Sequence, residues 1–197
     1  MWVAMGMNRM ISGKGRRGLC ACAGALLLAG CAAAPPTTYD LHAATAPGRA
    51  MRASVAVETP LAAAPLDRDL IVVRESEDRL SSLAGAQWAD TPAYLIRSRL
   101  VETFENAGLL RNLRRSGEPA SYRLVLELRR FDIDAATREA RVEIAAQLTH
   151  DGGSVTAAKI FSAAEPVVEI AGAAPPQALD RALGRVLPQI VAWTAGR

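Results

Sequence analysis

Four consecutive residues, Leu28-Ala29-Gly30-Cys31, are the part of this 197-residue chain whose types and order match a defined covalent chemistry. Leu, two small residues and then Cys form the lipobox that lipoprotein signal peptidase cleaves. Ala29 and Gly30 fit a tight protease pocket, and cleavage is expected between Gly30 and Cys31. The Cys31 thiol then carries a diacylglyceryl group, and its new amino terminus carries an N-acyl chain. The alternative for Cys31 is a buried small hydrophobe, a common fate of a free thiol. Its context argues against that. Residues 19–29 are an apolar run of signal-peptide length, and Lys14, Arg16 and Arg17 precede it as a positive region. The run is too short for a membrane span, which needs about 20 apolar residues. Arg16-Arg17 lacks the usual flanks of a twin-arginine signal, so the general secretory route is expected.

Other reactive constellations are missing from the sequence. The histidines are His42 and His150, and neither has a Cys or His partner at metal-ligand spacing. There is no Gly-x-Ser-x-Gly elbow, no P-loop and no Gly-x-Gly-x-x-Gly. Asp132 and Asp134 are a pair of carboxylates, but they read as solvated turn residues. The expectation is a protein that is not an enzyme, with no catalytic residue, no metal, and no cofactor beyond the covalent lipid on Cys31.

Charge supports that reading. The whole chain has 23 basic and 20 acidic residues. Residues 1–30 hold Arg9, Lys14, Arg16 and Arg17 and no acid, so their removal leaves 19 basic against 20 acidic side chains. A balance near −1 asks for neither nucleic acid nor an anionic membrane surface. Cys20 and Cys22 leave with the signal, so the mature chain cannot form an intrachain disulfide. Acylation at Cys31 is the expected membrane attachment. Ala32 stands where an Asp would be the enteric inner-membrane retention signal, which favours the outer membrane, facing the periplasm.

The elements that follow divide as 1–30 signal peptide, 31–52 lipidated Cys and flexible Pro/Thr/Ala linker, and 53–197 folded domain. Inside the linker, Tyr39-Asp40-Leu41 reads either as scattered apolar residues or as a short strand that docks on the domain. Residues 54–58 and 70–74 read as strands, and 79–83 as a weaker strand or turn leading to Trp88. Asp90-Thr91-Pro92 opens a helix, with Asp90 placed to cap the first amides. Ala93, Ile96, Leu100, Phe104 and Ala107 make its stripe, and Gly108 stops it. Residues 109–113 are a possible short strand. Residues 122–134, 142–148 and 155–163 alternate as a meander, with a bulge expected at Arg129-Arg130 and a hairpin at Asp151-Gly152-Gly153. The arginines of its wet face are expected to pair with Glu127, Glu139 and Glu143. Pro175-Pro176 opens a last helix with Leu179, Leu183, Val186 and Ile190 on one stripe. The fold class is therefore α+β: a mixed, largely antiparallel sheet with two main helices, 91–107 and 176–194, packed on one face.

This order resembles the ABC-type transport auxiliary lipoprotein family of the PqiC type. The closest echoes are Val55-Ala56-Val57 through Pro60, Leu66-Asp67-Arg68 and Leu70-Ile71-Val72-Val73-Arg74. Tyr39-x-Leu41 and the Trp88-Ala89-Asp90 step into a helix are further ones, which marks Tyr39, Leu41 and Trp88 as structural or docking residues. The resemblance implies an outer-membrane lipoprotein, auxiliary to a transporter that moves phospholipid or other lipids across the envelope. Its implied partner is the periplasmic subunit with a mammalian-cell-entry (MCE) domain, and a homo-oligomer would suit a tubular partner. The family brings no catalytic residues. Two rival functions are a lipid-holding carrier and a structural envelope lipoprotein that recruits another complex.

Overall fold

The computed structural model describes residues 34–48, 50–150 and 153–197, and the fold is that of the unit Pro35–Arg197. The signal peptide and the lipobox lie outside the described residues, as do two residues of the expected hairpin, Asp151 and Gly152. In chain order the elements are β1 (Thr37–Tyr39), β2 (Val55–Val57), β3 (Leu61–Ala62), β4 (Leu70–Arg74), β5 (Leu80–Trp88), α1 (Pro92–Asn106), a 3-10 turn (Leu110–Asn112), β6 (Leu113–Arg114), β7 (Tyr122–Asp134), β8 (Glu139–His150), β9 (Val155–Pro166) and α2 (Ala174–Ala195).

β7 is the spine of one mixed sheet. On one side β8 pairs with it antiparallel from Tyr122↔His150 to Asp134↔Glu139, and β9 pairs with β8. The expected meander is therefore present. On the other side β2, β3 and β4 pair with β7 in succession, all parallel, at Tyr122–Leu124, Glu127–Leu128 and Asp132–Asp134. β5 continues from β4 antiparallel, β1 adds to β5 in parallel, and β6 adds to β2. The register of β7 against β8 shifts between Leu128 and Arg130, where the bulge is expected. The extra residue puts Leu124, Leu126 and Leu128 on the same face as Phe131 and Ile133, although their sequence phases differ. All five are 3% exposed or less.

That face is covered by the helices. α2 lies across β7, β8 and β9, and α1 packs beside it. Leu179, Leu183, Val186, Leu187 and Ile190 of α2 and Ile96, Leu100 and Phe104 of α1 are fully buried. Each such side chain contributes roughly 1.5–3 kcal/mol relative to exposure. This sum outweighs the ~3 kcal/mol that an internal proline such as Pro188 costs a helix, and α2 continues past it to Ala195. Gly108 has φ +76°, the left-handed stop expected there.

Four expectations are corrected or sharpened. Asp90 does not cap α1: Thr91 is the N-cap, without a side-chain capping bond, and the Asp90 carboxylate instead accepts the Thr91 N–H at 2.6 Å. Residues 109–113 are mainly a 3-10 turn, and only Leu113 enters a strand. The weak strand at 79–83 runs on to Trp88. The fourth concerns the expected flexible linker 31–52. From Thr37 onward it is docked: Thr37–Tyr39 pair with Ala86–Trp88, and Leu41 and Ala46 are buried. Of the two readings of Tyr39-Asp40-Leu41, the docking strand is therefore the one found; a three-residue strand whose partner lies 49 positions away leaves no periodic trace to choose it by.

Candidate functional site

The first part of the site is the strap that joins the lipobox to the fold. Tyr39 stands opposite Trp88, and its carbonyl accepts the Ala89 N–H at 2.7 Å. Leu41 and Trp88 are each 1% exposed, and the Trp88 ring lies 5.4 Å from Phe131. Beyond Tyr39 the strap crosses both helices. Asp40 accepts from Arg99 of α1 at 2.8 Å. His42 donates its N–H to Asp180 of α2, and its Nδ1 meets the second carboxylate oxygen, each at 2.8 Å. The Ala44 N–H reaches Thr103 Oγ1 at 3.1 Å, and its carbonyl takes the Asn106 amide at 3.2 Å. Burial pushes the Asp40 carboxyl up, but the Leu41 N–H and the Arg99 guanidinium outweigh it and hold the carboxyl below its usual value. The three residues marked from the sequence are thus brought together. Leu41 and Trp88 are core, and Tyr39 keeps a partly accessible face.

The second part is the sheet face away from the helices. Asp132 is 1% exposed, which corrects its reading as a solvated turn residue. Arg130 grips it with two bonds at 2.6 and 3.2 Å, and Arg74 approaches to 3.5 Å. Asp134 accepts from the Thr137 N–H and faces Arg130 and Arg141. The Thr137 N–H first, and then the two guanidiniums, hold the Asp134 carboxyl below its usual value against the opposing effect of burial. Hydrogen bonds to Asp132 push the Arg130 guanidinium up. Asp132 therefore sits between two guanidiniums as the centre of an ion-pair network. The expected charge pairing is correct in kind and wrong in detail. Glu127 and Glu139 pair two residues along their own strands, with Arg129 and Arg141, while Asp132 and Asp134 make the central network.

Beside this network, Leu61–Leu66, which begin as β3, line a groove of about 580 Å³ together with Val72, Leu80 and Leu128. Leu61 and Leu80 are its exposed apolar lips. Sequence reading missed the groove, because Leu61–Leu66 is an Ala-rich segment without periodicity. His150 stacks on Tyr122 at 4.7 Å and is a packing residue. Among the described residues no group of three His, Cys, Asp or Glu is placed to hold a metal ion, and no helix is long and apolar enough to cross a membrane.

An uncharacterized protein of Bradyrhizobium diazoefficiens is 31% identical over 84% of this chain, and the chain spans 46% of that relative's length. A crystallised Xanthomonas campestris protein assigned to the DUF330 family superposes with a TM-score of 0.74 at 29% identity, covering 81% of this chain and 94% of its own. A second crystallised, uncharacterized protein shares the fold, with a TM-score of 0.60 at 15% identity over 83% of this chain and 98% of its own. The family described as ABC-type transport auxiliary lipoprotein component matches residues 39–191, from the strap residue Tyr39 almost to the end of α2, and the chain belongs to that family.

Proposed function

We propose that the protein is an outer-membrane lipoprotein, anchored through acylated Cys31 and facing the periplasm, that serves as a non-catalytic adaptor for an MCE-type lipid transporter. Its partner in this reading is the transporter's MCE-domain periplasmic subunit, and a homo-oligomer is compatible with it. The observation that carries the adaptor role, as opposed to a carrier, is the closed helix–sheet interface. Leu179, Leu183, Val186 and Ile190 of α2 and Ile144, Ala146 and Phe161 of the strands it packs on are all 2% exposed or less. A cavity between the sheet and the helices able to hold an acyl chain would leave these side chains accessible. Five residues, Ala32 to Pro36, separate Cys31 from the first strand.

The test is affinity recovery of the lipidated chain from gently solubilised envelopes, with mass spectrometry of proteins and lipids. Recovery of an MCE-domain subunit without stoichiometric phospholipid is the expected result. Stoichiometric phospholipid without that subunit would move the assignment to a carrier. Cys31→Ser should shift the protein from the membrane to the soluble fraction, and a variant still retained by the membrane would refute the anchor.

A further inference from the structure

β9 is the outermost strand on its side of β7, and among the described residues it pairs with β8 alone. The direction of its backbone groups follows from its register. Glu139 stands opposite Pro166, so Arg138 faces Val167, and the Val167 N–H reaches the Arg138 carbonyl at 2.9 Å. Antiparallel pairs alternate between bonded and non-bonded. Glu165, Ala163 and Phe161 therefore aim their N–H and C=O groups at β8, whereas Ala164, Ser162 and Ile160 aim theirs outward. Two further observations agree. Pro166, which has no N–H to give, falls in the outward set, where a strand tolerates proline. The Ala164 carbonyl takes the Arg185 guanidinium of α2 at 3.2 Å, in place of a strand partner. The register against β8 is regular through this stretch, its one shift lying between Leu148 and Thr149. Ile160 is roughly 17 Å along the strand from Val155, where β9 begins after the hairpin.

A row of outward N–H and C=O groups is a template for another strand. The side chains around it set what that strand carries. On the helix side Lys159 lies over the Phe161 ring at 5.0 Å, and among the described residues it forms no ion pair. Arg181 and Arg185 of α2 border the same side. Glu165 is the carboxylate between them; Arg185 holds it, and Arg181 stands 4.0 Å away. On the side away from the helices Ala158, Ile160, Ser162 and Ala164 are exposed, Ile160 by 52%, and Glu143 stands opposite Ser162. A second copy pairing along this edge would set its own Lys159, Arg181 and Arg185 against these three cations. An extended segment with acidic residues at alternate positions meets them with opposite sign.

We propose that Ile160–Ala164 of β9 is a strand-addition site for an extended, acidic segment of a protein partner. The partner's main chain takes the outward groups of Ile160, Ser162 and Ala164. Its acidic side chains on one face meet Lys159 and Arg185, and an apolar side chain on the other face covers Ile160. The same cations keep the edge from joining the edge of a second copy, because like charges across an interface oppose pairing. The inference deepens the adaptor reading above and rests on it for the existence of a protein partner.

The experiment places a photo-reactive residue at position 160 of the full chain in intact cells. Adducted peptides are identified by mass spectrometry in the otherwise native chain, in Ser162→Pro, in Lys159→Glu and in Lys159→Arg. Ser162→Pro removes an outward N–H and spares the bonds to β8. Lys159→Glu changes no backbone group and carries the test if the proline variant unfolds, which the thermal midpoint reports. The expected result is an adduct to an acidic segment of another protein. Its yield should fall at least ~10-fold in Ser162→Pro, equivalent to about 1.4 kcal/mol, fall ~5-fold in Lys159→Glu, and stay within ~2-fold in Lys159→Arg. Adducts to β9 of a second copy, adducts to phospholipid alone, no adduct, or a yield indifferent to both substitutions would each overturn the proposal. An adduct that depends on Ser162 and Lys159 but joins a protein lacking an MCE domain would sink the transporter reading and leave the strand-addition site standing. Recovery of an MCE-domain subunit undiminished by both variants would do the reverse.

Discussion

Leu41→Ala tests whether the segment after the lipobox is a tether or part of the fold. Leu41 is 1% exposed and belongs to the single core formed by the sheet and helices. Truncation removes three carbon groups, worth about 0.8 kcal/mol each on transfer, or roughly 2.4 kcal/mol. A cavity contribution adds to this, up to the 2–5 kcal/mol seen for buried leucines. The strap is close to the chain terminus and can relax into part of the void, so a loss of about 2–3 kcal/mol is expected. Urea unfolding of the purified chain, followed by tryptophan fluorescence, reads it as a lower midpoint at unchanged slope. Trp88 packs on Phe131 in the same core and reports the change directly. Thr38→Ala, at an exposed position of β1, is the control and should stay within about 0.5 kcal/mol. A Leu41→Ala loss no larger than that control would refute the docked strap and restore a flexible linker from 31 to 52.

Asp132→Ala should destabilise the domain by about 1–3 kcal/mol in the same assay. It strands Arg130 and Arg74, although both keep about a quarter of their surface in water, which holds the loss below that of a fully buried pair. A neutral result would mean that the network is incidental. Stability should also fall in acid through Asp134. Its folded value lies below the unfolded one, so its contribution is complete above the unfolded value near pH 4 and is lost as pH falls through the folded value. Asp134→Asn should therefore flatten unfolding free energy against pH below about pH 4 and leave the slope unchanged near neutrality. An unaltered acid limb would show that other carboxylates, Asp40 among them, set it.

Much of the fold was legible because it is local. Alternation at Leu124-Leu126-Leu128 and Val142-Ile144, the phase change that marks the bulge, and the helical stripe from Ala93 to Ala107 all follow from a period of two or 3.6. The phase change could be read because an extra residue must flip the alternation, and the register shift at Leu128/Arg130 is its structural counterpart. What could not be read involves partners far apart. Asp132 looks like any turn carboxylate until Arg74, from a strand 58 positions earlier, is brought beside it. His42 and Asp180 are 138 residues apart.

The sequence by itself determined the lipobox reading at Cys31, the α+β class and the family likeness, because these depend on residue order within short windows. Only the tertiary structure decided that residues 37–46 are strapped to the domain and that the helix–sheet interface is closed. Each of those depends on which strand lies beside β7 and in which direction it runs. The short parallel pairings of β2, β3 and β4 settle that, and pairings of two or three residues are too brief to leave a pattern in the sequence.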